Sequence, residues 1–149
     1  MNDFDYIIYT DGACIGNPGP GGWGAIIFDS KNNKIKLSGS SKNSTNNKME
    51  IIAAIESLKN ITSKSKVQIF TDSKYLIDGI NNCINKWKIN NWKTANKKDV
   101  KNKDLWVKLD ELIKDHDIEW KWVKGHSGNL YNEEVDKIAR VEAEKLQYS

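Results

Sequence analysis

Two apolar segments of the chain end in the same way, with threonine, aspartate and a small residue. They are Tyr6–Gly12 and Gln68–Ser73. β-Branched and aromatic residues dominate both segments, which predicts β-strands. A carboxylate at the end of such a strand is costly unless a cation or a hydrogen-bond donor meets it. If the two strands are neighbours, Asp11 and Asp72 emerge at the same edge of one sheet, where α/β folds commonly hold ligands.

The rest of the chain predicts an α/β fold with a mixed five-stranded sheet flanked by helices. Periodicity and turn residues predict the order β-β-β-α-β-α-α-α-β-α. The predicted strands cover residues 6–12, 23–28, 34–39, 66–70 and 118–123, and the predicted helices cover about residues 44–60, 73–79, 81–89, 103–114 and 131–146. Strands one to three form an antiparallel meander, and strands four and five pair in parallel because helices separate them. The glycine- and proline-rich residues 12–22 predict a tight turn.

The composition is that of an ordinary globular chain. With 149 residues we expect one domain spanning residues 1–149. No apolar run reaches the roughly 18 residues needed to span a bilayer, and no signal peptide is visible, so we expect a cytoplasmic protein. The two cysteines, Cys14 and Cys83, are expected to be free thiols, and their spacing does not suggest a zinc site.

Positive charge is concentrated in one segment. Seven lysines and one aspartate lie between Lys86 and Lys103, a local charge of +6 against +3 for the whole chain. Two tryptophans lie in the same segment. We expect an exposed basic appendage that contacts phosphates, and a solvated charged surface without a ligand is the alternative.

Four acidic side chains are candidates for a metal site. They are Asp11, Asp72, Glu50 early in the first helix and Asp136 early in the last helix. Taken singly, each is better explained as a turn former, a helix cap or a partner of a helix dipole. Brought together without partners, they would repel one another. Oxygen ligands suit Mg²⁺ or Mn²⁺ better than zinc, and two such ions about 3.5–4 Å apart can bracket a phosphodiester.

Five motifs follow one another along nearly the full chain. They are Thr10–Gly24, Thr45–Glu50, Thr71–Tyr75, Trp92–Ala95 and Trp122–His126. Together they closely resemble bacterial type 1 ribonuclease H. The resemblance implies a ribonuclease H-like fold and endonucleolytic cleavage of the RNA strand of RNA/DNA hybrids. It also implies hydrolysis by two metal ions, Mg²⁺ or alternatively Mn²⁺, that leaves 5′-phosphate and 3′-hydroxyl ends.

The same resemblance assigns roles to individual residues of a monomer that binds a hybrid duplex. The four acids fall on metal-binding carboxylates, and His126 falls on a loop histidine linked to proton handling or product release. The residues that match minor-groove contacts are Cys14, Asn17, Asn46, Asn47 and Lys74. The residues that match the phosphate pocket and the basic protrusion, at about residues 81–103, are Thr45, Asn102, Trp87, Trp92, Lys93, Lys97 and Lys98. A small residue at Gly12 is expected to let the following turn reach the minor groove.

The chain departs from the family pattern mainly in the residues that contact substrate. Cys83 replaces a tryptophan, Ile89 and Asn90 replace basic residues, Asn43 replaces an arginine, and Lys74 replaces a glutamine. These changes predict weaker, strongly salt-dependent binding of hybrids. A hybrid-binding module without cleavage and a phosphotransferase for small esters are the alternative functions. The first would be marked by loss of one of the four acids, and the second lacks a P-loop.

Overall fold

A mixed five-stranded sheet forms the centre of the molecule. The computed structural model describes residues 3–125 and 129–147. The strands are β1 (Tyr6–Cys14), β2 (Gly19–Asp29), β3 (Lys34–Ser44), β4 (Lys66–Thr71) and β5 (Asp117–Trp122). Across the sheet they lie in the order β3-β2-β1-β4-β5. The first three form an antiparallel meander, and β4 pairs in parallel with β1 and β5, so the predicted mixed sheet is confirmed.

Helices of very different length connect and cover the strands. They are α1 (Asn46–Lys59), α2 (Lys74–Asp78), α3 (Ile84–Ile89), α4 (Lys103–Ile113) and α5 (Leu130–Gln147). None of the helices formed by residues 3–125 and 129–147 is long and apolar enough to cross a membrane.

Two of these helices begin at capping side chains. Thr45 Oγ1 accepts a hydrogen bond from the Lys48 backbone N–H at 3.2 Å, and Ser73 Oγ accepts one from the Leu76 N–H at 3.1 Å. These side chains satisfy amide groups that have no partner within the helix. The second short helix begins at Ile84 instead of residue 81, because a π-helical turn occupies Gly79–Cys83.

The predicted turn over residues 12–22 is wrong in its extent. β1 continues to Cys14 and β2 begins at Gly19, so only residues 15–18 connect the two strands. The glycines here allow close packing of helices on the sheet. A Cβ at Gly21 would lie 2.9 Å from Met49 Cγ of α1, which is shorter than real Cβ contacts. Gly12, Gly21 and Gly22 are therefore packing glycines that resemble turn glycines, whereas Gly16, with a φ of 83°, serves the turn that remains.

Helices cover both faces of the sheet. Gly12 of β1 pairs with Trp23 of β2, and a Cβ at Gly12 would collide with α1. A Cβ at Gly22 or Gly24 would instead collide with α5. Neighbouring residues of one strand point to opposite faces, so α1 and α5 lie on opposite faces. The main core lies on the α1 face and includes the buried residues Ile8, Ile51, Leu58, Ile69, Trp106 and Leu109.

The basic segment is anchored to this core by its tryptophans. Trp87 and Trp92 are half-buried, with ring centroids 6.2 Å apart, and Trp87 lies 5.4 Å from the buried ring of Trp106. Lys88 Nζ lies 3.3 Å from Asp110 Oδ2 of α4. The lysines face solvent while the indoles pack inward, an arrangement that braces the segment.

Replacing Gly12 with alanine should destabilise the fold. The added Cβ would lie 2.6 Å from Glu50 N and 2.7 Å from the Met49 carbonyl carbon, and neither backbone atom can rotate away. We expect the free energy of unfolding in urea to fall by about 1–3 kcal/mol. Ser40→Ala, a change at an exposed position of β3, is the control. Equal stability of Gly12→Ala and wild type would show that β1 and α1 are not packed this closely.

Candidate active site

The candidate active site lies where β1 and β4 separate. Their parallel pairing runs from Tyr6↔Val67 to Tyr9↔Phe70. Asp11 lies two residues beyond the last pair on β1, and Asp72 follows β4 directly. Glu50 enters the fork from α1, whose close approach to β1 depends on Gly12. The topology therefore brings together acids that lie far apart in the sequence.

Asp11, Glu50 and Asp72 form a compact cluster of carboxylates. One oxygen of each lies within 4.8 Å of the others. Asp11 is 4% exposed and Glu50 is 7% exposed. Glu50 Oε1 is buried and has no hydrogen-bond partner among the described residues. A buried oxygen without a partner costs free energy, and carboxylate oxygens are the ligands of hard divalent cations. The three carboxylates are therefore suitable ligands for a hard divalent cation.

The electrostatics of the cluster favour protonation when no cation is bound. Burial raises the pKa of Asp11 far above its usual range, and repulsion by Glu50 and Asp72 raises it further. Burial is also the main reason that the pKa of Glu50 is raised, although a hydrogen bond with Asp11 partly offsets this effect. At neutral pH the cluster must therefore hold protons or a cation.

Asp136 lines the same cavity from α5 but lies outside the three-oxygen cluster. Its Oδ2 accepts a hydrogen bond from Arg140 Nε at 3.0 Å. Because both side chains are partly exposed, an ion pair of this kind contributes only about 0–1 kcal/mol. The carboxylate can therefore exchange Arg140 for a cation at low cost.

His126 lies outside the described residues, and its role stays a prediction. Gly125, the residue directly before His126, lies near the carboxylates. A Cβ at Gly125 would lie 3.0 Å from Asp72 Oδ2. Gly125 therefore lies close to the cluster.

Several residues predicted to contact substrate lie beside the carboxylates. Asn46, Asn47 and Lys74 line the same cavity as the acids. Asn17 Oδ1 accepts a hydrogen bond from the Asn46 backbone N–H at 2.9 Å, which ties residues 15–18 to the start of α1. Cys14 Sγ is half-buried and lies 3.3 Å from the Ser44 carbonyl oxygen. Asn46, Asn47 and Lys74 thus border the cluster, and Asn17 is tied to Asn46 beside it.

Other predicted contacts have internal partners. Thr45 caps α1, and Asn102 Nδ2 donates to the Tyr75 hydroxyl at 3.0 Å. Lys93 Nζ lies 2.6 Å from Asp99 Oδ1. Lys97 and Lys98 are exposed on the basic segment, away from the carboxylate cavity. Binding of a phosphate by Thr45, Asn102 or Lys93 would have to share or replace these bonds.

Sequence reasoning missed three side chains that border the cluster. Ser73 and Tyr75 line the cavity, and Trp122 Nε1 donates to the Asp72 carbonyl oxygen at 3.0 Å. Lys74 Nζ lies 5.2 Å from the centroid of the Trp122 ring. Ser73 and Tyr75 flank Lys74 in one motif already singled out, and Trp122 begins another, which was an available signal. Trp122 reaches Asp72 only through the register of β4 and β5, which periodicity does not fix.

Comparison with known proteins identifies a family for this chain. The RNase H family model matches residues 3–144. The chain is 56% identical over 133 residues to Ribonuclease H of Francisella philomiragia subsp. philomiragia, covering 89% of this chain and 87% of that protein. It is 53% identical over 140 residues to Ribonuclease H of Wolbachia pipientis wMel, covering 94% of this chain and 96% of that protein.

Solved structures agree with this assignment. LC9-RNase H1, described as a type 1 RNase H with the type 2 active-site motif, superposes with a TM-score of 0.84 at 27% identity. The match covers 95% of this chain and 72% of that chain. LC11-RNase H1, solved in complex with RNA/DNA hybrid, shares the fold with a TM-score of 0.73 at 22% identity, over 95% of this chain and 99% of that chain. With a family model over nearly its whole length and relatives identical at half of their positions, the chain belongs to the RNase H family.

Proposed function

We propose that this protein is a divalent-metal-dependent endonuclease that hydrolyses the RNA strand of RNA/DNA hybrids and leaves 5′-phosphate and 3′-hydroxyl ends. The observation that carries the proposal is the buried cluster of Asp11, Glu50 and Asp72, in which Glu50 Oε1 has no partner among the described residues. Relatives named Ribonuclease H, and a neighbour in fold bound to RNA/DNA hybrid, support the substrate class. We propose that it acts as a monomer in the cytoplasm.

The proposed metal ligands are the three clustered carboxylates and Asp136. Mg²⁺ is the proposed metal, and Mn²⁺ is the alternative that the same oxygen ligands would accept. When bound, two such ions would activate a water molecule and stabilise the charge that develops on the leaving 3′ oxygen. The chain's own part is to hold these oxygens in place and to exclude water from Asp11 and Glu50, both of which are buried.

Recognition of the RNA strand is proposed for the amides beside the cluster. Asn46 and Asn47 line the cavity, and amide side chains can donate to and accept from a 2′-hydroxyl or a base edge. Asn17 Oδ1 accepts a hydrogen bond from the Asn46 backbone N–H, which supports a role for this third amide beside Asn46. His126 is proposed to assist proton handling or product release, since imidazole titrates near the working pH.

A labelled hybrid duplex tests the function directly. With Mg²⁺, the wild type should cut the RNA strand at internal positions, and Asp11→Asn should lower the cleavage rate by at least about a thousandfold, because loss of metal chemistry costs several kcal/mol. Glu56→Gln is the control. It removes an acid that lies on α1, as Glu50 does, but outside the cavity. Binding without cutting by the wild type would instead support a non-catalytic hybrid-binding module.

Mg²⁺ should raise the thermal stability of the free protein. Binding to the folded state alone stabilises it by about 2.7 kcal/mol at a hundred times the dissociation constant. Differential scanning fluorimetry across a wide range of Mg²⁺ concentrations should show this rise for the wild type and a much smaller one for Asp72→Asn. A melting temperature that does not respond to Mg²⁺ would argue against a metal site of useful affinity.

Asp11→Asn should stabilise the protein when a chelator removes divalent ions. The raised pKa of Asp11 means that the folded state binds more protons than the unfolded state between about pH 4 and the folded pKa. Wild-type stability therefore falls as pH rises through this range, and asparagine removes the loss. We expect a gain on the order of 2 kcal/mol at pH 7–8 that disappears near pH 4, measured by urea unfolding in EDTA. Equal or lower stability of the variant at pH 7–8 would contradict a repulsive cluster.

A further inference from the structure

Asp72 is held in place by a side chain from the neighbouring strand. Trp122 is the last residue of β5 and pairs with Thr71. Its indole Nε1 donates to the Asp72 carbonyl oxygen at 3.0 Å, and the Val123 backbone N–H donates to the Thr71 carbonyl oxygen at 2.8 Å. Because Asp72 lies just past the end of β4, the indole N–H supplies a bond to a carbonyl outside the regular ladder.

The same indole holds a cation at the rim of the carboxylate cavity. Lys74 Nζ lies 5.2 Å from the centroid of the Trp122 ring. Within the described parts of the chain, Lys74 is the only cationic side chain that lines this cavity, and it forms no ion pair there. An ammonium group over an indole face is attracted by the ring quadrupole. The contact therefore favours a position of the ammonium group over the indole ring.

We propose that Trp122 is a positioning residue with two effects. Its N–H fixes the backbone of Asp72 and hence the carboxylate, and its ring holds the Lys74 ammonium where it contacts a phosphate of the RNA strand. The inference rests on the proposed function and deepens it, since Lys74 then acts on the phosphate backbone, which carries charge, and not on a base edge. Trp122 is 44% exposed, so the ring remains accessible beside the bound strand.

Variants of the two residues separate the two effects. Trp122→Phe keeps an aromatic face for Lys74 but removes the N–H donor, whereas Trp122→Leu removes both. Lys74→Gln removes the cation, and Lys74→Arg restores it. Lys121→Gln is the charge control, because Lys121 is the exposed neighbour of Trp122 on β5 and lies 3.1 Å from Glu119. Circular dichroism and urea unfolding confirm that each variant is folded before it is used.

The first measurement is Mg²⁺ affinity of the free protein, from the shift in melting temperature with Mg²⁺ concentration. Loss of one hydrogen bond to Asp72 should weaken Mg²⁺ binding about three- to tenfold in Trp122→Phe, with no change in Lys121→Gln.

The second measurement is the salt dependence of hybrid binding in EDTA. Lys74→Gln should reduce the slope of log K against log[salt] by about 0.7–0.9, the value for one phosphate contact. Lys74→Arg should restore the slope, and Trp122→Leu should lower it more than Trp122→Phe does.

The outcomes distinguish this inference from the proposed function. Wild-type Mg²⁺ affinity in Trp122→Phe overturns the role of Trp122 toward Asp72. An unchanged salt slope in Lys74→Gln, with a wild type that cuts hybrids, overturns the phosphate contact alone. A wild type that neither binds nor cuts hybrids overturns the proposed function together with that contact, while the Mg²⁺ measurement still decides the role of Trp122. If Trp122→Phe does not fold, the Lys74 variants decide the phosphate contact. The positioning effect is then decided by comparing Trp122→His, which can retain a ring N–H donor, with Trp122→Leu, which has none. Weaker Mg²⁺ binding in Trp122→Leu than in Trp122→His supports the effect, and equal binding in the two variants overturns it.

Discussion

Mutual repulsion among buried carboxylates is the constraint on which the rest of this structure depends. Asp11 and Glu50 are nearly inaccessible to water, and both lie beside Asp72. Such an arrangement is unfavourable by itself, because burial and like charge both oppose ionisation. The core on the α1 face and the pairing of β1 with β4 stabilise the fold enough to offset the cost of these buried carboxylates. Because the carboxylates repel one another without a cation, binding of a divalent cation relieves the repulsion and stabilises the site.

The backbone around the cluster explains how the acids are brought together. Separation of β1 from β4 opens a fork at the edge of the parallel pair, and Gly12 lets α1 enter it. Thr45 and Ser73 cap the helices that begin on either side. The indole N–H of Trp122 holds Asp72 from β5. Each acid of the cluster is thus held by a different element, so the geometry of the site depends on the fold.

Much of the fold followed from the sequence, because local signals carried it. The Thr-Asp strand ends and the helical spacing in α4 and α5 predicted the order of elements. Residues 12–22 were misread, since glycines that permit close helix packing look like turn glycines. The contact of Trp122 with Asp72 and the inward packing of Trp87 and Trp92 depend on register and tertiary packing. The periodicity of apolar residues in the sequence does not predict such contacts.

The central claim is that Asp11, Glu50 and Asp72 together bind a divalent cation. Crystals grown with Mn²⁺ and measured for anomalous scattering test it most directly, because Mn²⁺ accepts the same oxygen ligands as Mg²⁺. We expect an anomalous peak bonded to oxygens of all three carboxylates, with Glu50 Oε1 among the ligands. Crystals soaked in excess Mn²⁺ at neutral pH that show no peak at the cluster, or a peak bound only by exposed acids elsewhere, would contradict it.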